Sequence, residues 1–244
     1  MRSLHPRSQA EITPGKPALI LADTGESISY GELVARADRA ARLFLRLGLQ
    51  QGDTVAIWLE NHIRYAELCW AAKNSGITYA CISSQASVAD AAYIVENSDA
   101  KLLISSRNLA EFALPVARNS TTGLRCLMLD GAEAPFESYE SLLEQEQATP
   151  LENRRRGPSM LYSSGTTGRP KGVRTALPDE GPEIPPRRFA MLQKRYGLAE
   201  DTVMLCPGPF YHAAPGRFMM SVQRAGGTFV GFRRFDAQAT LEAI

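Results

Sequence analysis

The 244 residues carry a formal net charge of +1, with 44% hydrophobic and 22% charged side chains. A chain of this length can bury a sizeable core, and the charge balance excludes an extended nucleic-acid or acidic-lipid surface. No apolar run approaches the length of a membrane span and no hydrophobic signal core opens the chain, so a cytoplasmic protein is expected. Cys69, Cys81, Cys126 and Cys206 lie far apart without C-x-x-C spacing and read as reduced, mostly buried thiols. His5, His62 and His212 offer no zinc-type cluster.

Residues 1–16 are polar and punctuated by Pro6, Pro14 and Gly15, which predicts a tail laid over a surface. A short strand is predicted over 17–21, turning at Asp23-Thr24-Gly25. Ser29-Tyr30-Gly31-Glu32 has capping-box spacing, the hydroxyl and carboxylate each serving the other's orphan N–H. The helix it opens carries Leu33, Ala37, Ala40, Ala41 and Phe44 on one face, and Gly48 ends it. An apolar strand over 54–59 follows the Gly52-Asp53 turn, then a helix over about 65–74 that buries Leu68, Cys69 and Ala72 and closes at Gly76. A strand over 79–82, a helix capped by Ser87 and Asp90, and strands at 102–104 and 124–129 continue the pattern. Such alternation, with nearly continuous apolar strands, predicts an α/β fold whose mostly parallel sheet is covered by helices on both faces. Asp53 and Glu60 sit near strand ends without partners at catalytic spacing and read as turn and surface charges.

Segment 141–156 is polar and predicts a helix followed by a linker, with Arg154-Arg155-Arg156 as a solvated part of that linker. A strand over 160–162 then delivers Ser163-Ser164-Gly165-Thr166-Thr167-Gly168-Arg169-Pro170-Lys171-Gly172. Beyond it, residues 178–188 form a proline-rich connection that no helix could span. A helix over 189–196 and a strand over 202–206 lead into Pro207-Gly208-Pro209-Phe210-Tyr211-His212-Ala213-Ala214-Pro215-Gly216. A helix through Met219, Met220 and Val222 stops at Gly226-Gly227, a strand follows over 228–232, and Asp236 begins a last helix.

The run from Ser163 to Gly172 holds glycines, hydroxyls and two cations within ten residues. Glycine lets consecutive N–H groups turn inward as a nest for an anion, and the hydroxyls and Lys171 suit a polyphosphate. It is not a Walker A loop: Pro170 precedes Lys171, Gly172 follows it, and no helix opens at once. Taken alone, such clusters are most often plain turns. There is no G-x-S-x-G for a nucleophile elbow and no G-x-G-x-x-G for a dinucleotide fold.

In this order, the ten residues resemble the phosphate-binding loop of the acyl-adenylate-forming (AMP-binding) enzymes. That superfamily includes acyl-CoA synthetases, aryl-CoA ligases, luciferases and the adenylation domains of peptide synthetases. Ser27-Ile28-Ser29-Tyr30-Gly31-Glu32-Leu33 is similar to its early tyrosine–glutamate–leucine motif. The stretch from Ala72 to Ala80 is similar to its alanine-glycine-alanine-valine-tyrosine-valine-proline segment, with departures at Ser75, Thr78, Ala80 and Cys81. The resemblance covers nearly the whole chain, and Phe210-Tyr211-His212-Ala213-Ala214-Pro215 is closest in kind to acyl-CoA synthetases.

The resemblance implies a layered fold like the N-terminal domain of acyl-CoA synthetases, truncated here. Residues 52–176 would form a first α/β subdomain ending in the phosphate loop, and 1–51 with 177–244 an incomplete second one. It implies ATP and Mg2+ for activating a fatty or aromatic carboxylic acid, as in fatty acid metabolism, and CoA as acceptor. Ser163, Ser164, Gly165, Thr166, Thr167, Gly168 and Lys171 would hold the phosphates, with Arg169 facing solvent. His212 would act near the reacting carboxylate, and Phe210 and Tyr211 would line the acyl pocket. The adenine-contacting segment, the magnesium ligand, the ribose-binding aspartate, the hinge and the mobile C-terminal domain would lie beyond residue 244. Two alternatives stand beside this one: a catalytically silent nucleotide-binding or interaction module, and an adenylation domain loading a carrier protein. An incomplete second sheet would leave an unpaired edge, so self-association is expected.

Overall fold

The computed structural model describes residues 4–163 and 169–244, with Ser163 described by its backbone alone. Two sheets organise the fold. The larger contains β3 (Thr54–Trp58), β4 (Thr78–Ile82), β5 (Ala100–Ser106), β6 (Arg125–Leu129), β7 (Glu137–Ser138), β8 (Ser159–Ser163) and β9 (Lys171–Val173). Their spatial order is β7-β6-β5-β3-β4-β8-β9, and every pairing is parallel except the antiparallel β8–β9. The smaller sheet combines β1 (Pro17–Leu21) and β2 (Ser27–Ser29) with β10 (Val203–Leu205) and β11 (Thr228–Gly231), in the order β10-β11-β1-β2. The fold is therefore α/β with mostly parallel sheets flanked by helices.

The central strands read as continuous apolar runs because both their faces are buried. In β3, Val55 and Ile57 enter one core while Ala56 and Trp58 enter another, as the two-residue period of a strand requires. The second core is closed by α4 (Val88–Asn97) and α5 (Ala110–Arg118), through Ala91, Ile94, Val95, Ala113 and Leu114. The first core is shared with the smaller sheet, which contributes Leu19, Leu21 and Phe229. Between the sheets lie α2 (Tyr30–Arg46), α3 (Tyr65–Ser75) and α8 (Ala213–Ala225).

Several expectations need correction. The N-terminal tail is not laid loosely over a surface: Pro6–Ile12 forms a helix, α1, and His5 and Gln9 are buried. Arg7 clamps it through Asp38, at 2.7 and 2.8 Å. The α5 helix, hidden from a pattern reading by Pro115 in its interior, fills the gap between two predicted strands. The short α6 (Tyr139–Leu143) precedes the linker. The capping box at Ser29 is half formed. Ser29 Oγ accepts from the Glu32 N–H at 3.2 Å, while the Glu32 carboxylate pairs with Arg64 at 2.8 Å.

The arginine run is not a solvated linker. Arg154 pairs with Glu183, Arg155 with Asp179, and Arg156 with Glu180 at 2.7 Å. Three consecutive cations thus bind the acidic residues of the proline-rich connection, holding it against the start of β8. That connection leads into α7 (Arg187–Tyr196), and the last helix is α9 (Ala237–Glu242).

His5 makes the N-terminal clasp sensitive to pH. Its Nδ1 accepts from the Arg7 N–H at 3.2 Å, so Nε2 carries the proton donated to Asn74 Oδ1 at 3.0 Å. Both nitrogens are satisfied only in the neutral form, and burial together with the nearby Arg224 lowers the pKa to about 3. The unfolded chain, with an ordinary pKa near 6.5, binds the extra proton first, so stability falls as pH drops from about 6.5 toward about 3. Denaturant unfolding at pH 5 should show a loss of about 2 kcal/mol relative to pH 7 from this group alone. A His5→Gln variant should remove that part of the slope; an unchanged slope would refute the assignment.

Candidate functional site

Gly157 sets the register of the strand on which the candidate site depends. Its N–H donates to the Lys73 carbonyl at 3.1 Å, and a Cβ there would lie 2.1 Å from the Ile77 oxygen and 2.3 Å from the Ala72 oxygen. Only glycine allows β8 to start this close to the end of α3. From there β8 pairs with β4 on one side and β9 on the other, with Leu161 opposite Val173, Tyr162 opposite Gly172, and Ser163 opposite Lys171. Gly172 lies against the Tyr162 ring, where an added Cβ would come within 2.7 Å.

The hairpin therefore brings Ser163 and Lys171 opposite each other at its head. Lys171 is exposed. The side chain of Ser163 and the whole of Ser164, Gly165, Thr166, Thr167 and Gly168 lie outside the described residues. Arg169, expected to face solvent, is exposed, and its guanidinium lies 5.1 Å from the Tyr93 ring centre.

The aromatic-histidine segment sits at the carboxyl side of β10 and leads into α8. Phe210 is buried, with its ring edge-on to Tyr65 at 5.9 Å and to Phe229 at 5.8 Å. His212 occupies the N-cap of α8 but makes no side-chain cap, and it is exposed beside Tyr211, whose ring centre is 4.7 Å away. Its imidazole has no hydrogen-bond partner among the described residues. A narrow crevice of about 20 Å³ runs between this segment and the large sheet, touching His212, Tyr211, Phe210, Leu161, Tyr79 and Met220. Phe210, Tyr211 and His212 thus share a wall with Leu161, two residues before Ser163.

Asn61 holds this arrangement and carried no signal in the sequence. It follows β3, is buried, and reaches across to the smaller sheet. Its Oδ1 accepts from the Phe210 N–H at 2.7 Å, and its Nδ2 donates to the Phe232 carbonyl at 2.8 Å and the Gly208 carbonyl at 3.3 Å. Every polar atom of the amide is used to tie the segment to β3 and to the end of β11.

Two wider clefts flank the hairpin and the segment. One, of about 720 Å³, lies at the carboxyl ends of the strands, where β4 and β5 leave β3 on opposite sides. Such a switch point is where open α/β sheets bind ligands. Glu60 faces this cleft, contrary to its reading as a plain surface charge, and accepts from Ser106 Oγ at 2.6 Å and Asn108 Nδ2 at 2.9 Å. Arg233 stands opposite, paired with Glu26 at 2.7 Å. The other cleft, of about 420 Å³, opens beside β8 and β9 and is walled by Lys73, Arg156, Arg188 and Arg217. Burial, then Arg224 and Arg188, lowers the Lys73 pKa to about 7. Among the described residues no group of three or more His, Cys, Asp or Glu side chains could hold a metal ion. Among the described residues no helix is long and apolar enough to cross a membrane.

The profile of the AMP-binding enzyme family matches residues 6–244. The crotonobetaine/carnitine–CoA ligase of Citrobacter koseri is 30% identical over 94% of this chain and 46% of its own length. The 2-succinylbenzoate–CoA ligase of Bacillus licheniformis is 26% identical over 98% of this chain and 46% of its own length. The crystal structure of ATP-bound MatB from Rhodopseudomonas palustris superposes with a TM-score of 0.78, at 24% identity, over 99% of this chain and 47% of that one. The chain thus spans about half the length of the curated relatives it matches.

Asn61 should behave as a positioning residue. Replacing it with leucine strands the Phe210 N–H and two carbonyls, at a cost of about 2 kcal/mol or more per buried group left unpaired. An Asn61→Leu variant should unfold at markedly lower denaturant, whereas Asn61→Ala, which leaves room for water, should lose less. Equal stability of Asn61→Leu and the parent chain would refute the clamp.

Proposed function

This chain belongs to the AMP-binding enzyme family, and from that premise we propose that it is the N-terminal portion of an ATP-dependent carboxylic acid–CoA ligase. In that reaction an acid carboxylate attacks the α-phosphorus of ATP, pyrophosphate leaves, and the CoA thiol then displaces AMP from the acyl-adenylate. The observation that carries the reading is the β8–β9 hairpin. It leads into a run of glycines and hydroxyls, returns at an exposed Lys171, and shares a crevice wall with the aromatic-histidine segment.

Each residue then has a chemical task. Backbone N–H groups and hydroxyls from Ser163 to Gly168, with Lys171, would neutralise the β- and γ-phosphates and the charge that grows on leaving pyrophosphate. His212, with its imidazole unpartnered beside the crevice, would donate a hydrogen bond to the carboxylate or to the phosphate. Phe210 and Tyr211 would form the apolar side of the acid's pocket. Magnesium would arrive with the nucleotide, since the described residues offer no group of three or more His, Cys, Asp or Glu side chains to hold it.

On this reading residues 52–176 act as one subdomain and 1–51 with 177–244 as part of a second. The acid is a fatty or aromatic one, and the compartment is the reducing cytoplasm, which suits four free cysteines. Self-association would use the β10 edge of the smaller sheet, where Val203 is exposed, together with the exposed Phe235 and Leu241.

Calorimetric titration with Mg-ATP tests the reading directly. The parent chain should bind, and a Lys171→Ala, Thr167→Ala double variant should bind at least about tenfold more weakly, given the loss of two contacts to charged oxygens. No binding by either would favour the silent module instead. Light scattering at high concentration should show a species larger than a monomer, and a Val203→Lys variant should shift it toward the monomer. A monodisperse monomer in the parent would overturn the self-association.

A further inference from the structure

The acidic residues nearest the start of β8 are taken one for one. Asp179, Glu180 and Glu183 of the proline-rich connection each pair with an arginine of residues 154–156. The 420 Å³ cleft beside them is walled by Lys73, Arg156, Arg187, Arg188 and Arg217, and no carboxylate lines it. Every Asp and Glu of the chain falls among the described residues, so no acid outside them is left to neutralise the cleft. Of the five cations only Arg156 is ion-paired among the described residues, with Glu180 at 2.7 Å. The side chains of Lys73, Arg187, Arg188 and Arg217 have neither ion pair nor hydrogen bond there.

Lys73 makes this more than a basic stretch of surface. It lies in the last turn of α3, is only 9% exposed, and holds its ammonium 5.4 Å from the Tyr79 ring centre. A buried ammonium ordinarily has a carboxylate beside it. This one meets Arg224, Arg188 and Arg156, which add to burial in disfavouring its charged form. The charge of Arg188 is disfavoured in the same way, by burial and then by Arg217. Like charges gathered in a partly desolvated wall destabilise the free chain, and an anion seated between them reverses the sign. A cleft lined by one sign of charge also concentrates the opposite ion.

We propose that the cleft beside β8 is a binding site for a small phosphate ester, formed by described residues outside the glycine- and hydroxyl-rich run. Its cations come from four places in the chain: α3, the approach to β8, α7 and α8. An anion met from several directions needs oxygens on several sides. A phosphate monoester carries about two negative charges and three terminal oxygens. A carboxylate offers one charge and two oxygens in a single plane. Guanidinium forks match phosphate with paired N–H bonds, and a lysine adds a point charge. Leu161, Val173 and Pro186 give the same cleft an apolar side for the organic part of the ester. Its volume of about 420 Å³ falls in the range of roughly 300–1,000 Å³ that small-molecule sites occupy. Neither the head of the hairpin nor His212 takes part, so the site does not depend on the ligase reading.

The test titrates the full 244-residue chain at neutral pH with phenyl phosphate, inorganic phosphate and benzoate, followed by calorimetry, and with Mg-ATP on the same samples. Phenyl phosphate should bind at least about tenfold more tightly than benzoate, as expected for the added charge-assisted contacts. It should also bind more tightly than inorganic phosphate, which leaves the apolar side empty. An Arg188→Gln, Arg217→Gln double variant should bind phenyl phosphate at least about tenfold more weakly and keep its affinity for Mg-ATP. Both arginines are exposed, so the variant leaves the core intact, and a thermal melt confirms it. The Lys171→Ala, Thr167→Ala variant should bind phenyl phosphate as the parent does. No binding of phenyl phosphate, benzoate or inorganic phosphate binding equally well, or undiminished binding in the arginine variant overturns the proposal. So does loss of phenyl phosphate binding in the Lys171 variant, which would return the anion to the phosphate loop. Phenyl phosphate binding without Mg-ATP binding sinks the ligase reading and leaves this site standing.

Discussion

The α3 helix has no solvent face, and the rest of the structure depends on how its charged groups are satisfied. All eleven of its residues are buried, including Glu67, Lys73 and Asn74. A carboxylate taken fully out of water is tolerable only with charge and hydrogen bonds on its oxygens. Glu67 receives Arg36 at 2.6 and 3.1 Å and the Tyr139 hydroxyl at 2.8 Å, with Arg64 at 3.7 Å. Those partners come from α2, from α6 and from the residue before α3 itself. One buried charge therefore ties the helix layer to the edge of the large sheet, and the layer in turn holds the two sheets on one core.

Rigid placement of α3 decides the rest of the site. Its last turn presents the Lys73 and Ala72 carbonyls against which Gly157 packs, which fixes where β8 begins and hence where its hairpin head emerges. A short turn, His62-Ile63-Arg64, joins its start to Asn61, whose amide holds the aromatic-histidine segment from the opposite sheet. The hairpin and the segment are separated by many residues in the chain, yet both are referenced to the two ends of one helix. Such over-determined support is what a binding constellation needs to keep its geometry.

Charge is distributed by the same architecture. The arginines of residues 154–156 are neutralised by the acidic residues of the proline-rich connection, so this basic block forms a fastening. The cations contributed by α3, α7 and α8 converge beside β8 without such partners. Two groups of positive charge close in the fold thus differ: the first is ion-paired internally, whereas Lys73, Arg188 and Arg217 have no carboxylate partner among the described residues.

The sequence by itself determined the alternation of strands and helices, because a strand buried on both faces must be apolar throughout and glycine must close helices in the left-handed region. Gly76, Gly197 and Gly226 do so at the ends of α3, α7 and α8. It also determined the glycine- and hydroxyl-rich run and its relation to the family, since that chemistry is local and contiguous. It missed α1, whose polar residues are buried by contacts with α2 and α3, and α5, whose interior proline breaks the local pattern. It assigned the arginine run to solvent because ion pairs across more than twenty residues leave no periodic trace. Tertiary structure alone decided that Asn61 is a clamp, that α3 is buried all round, and that Lys73 faces Arg188 and Arg217 across a cleft. The physical reason is common to all three: hydrogen bonds and like-charge proximity act through space, whereas periodicity records only which face of an element meets the core.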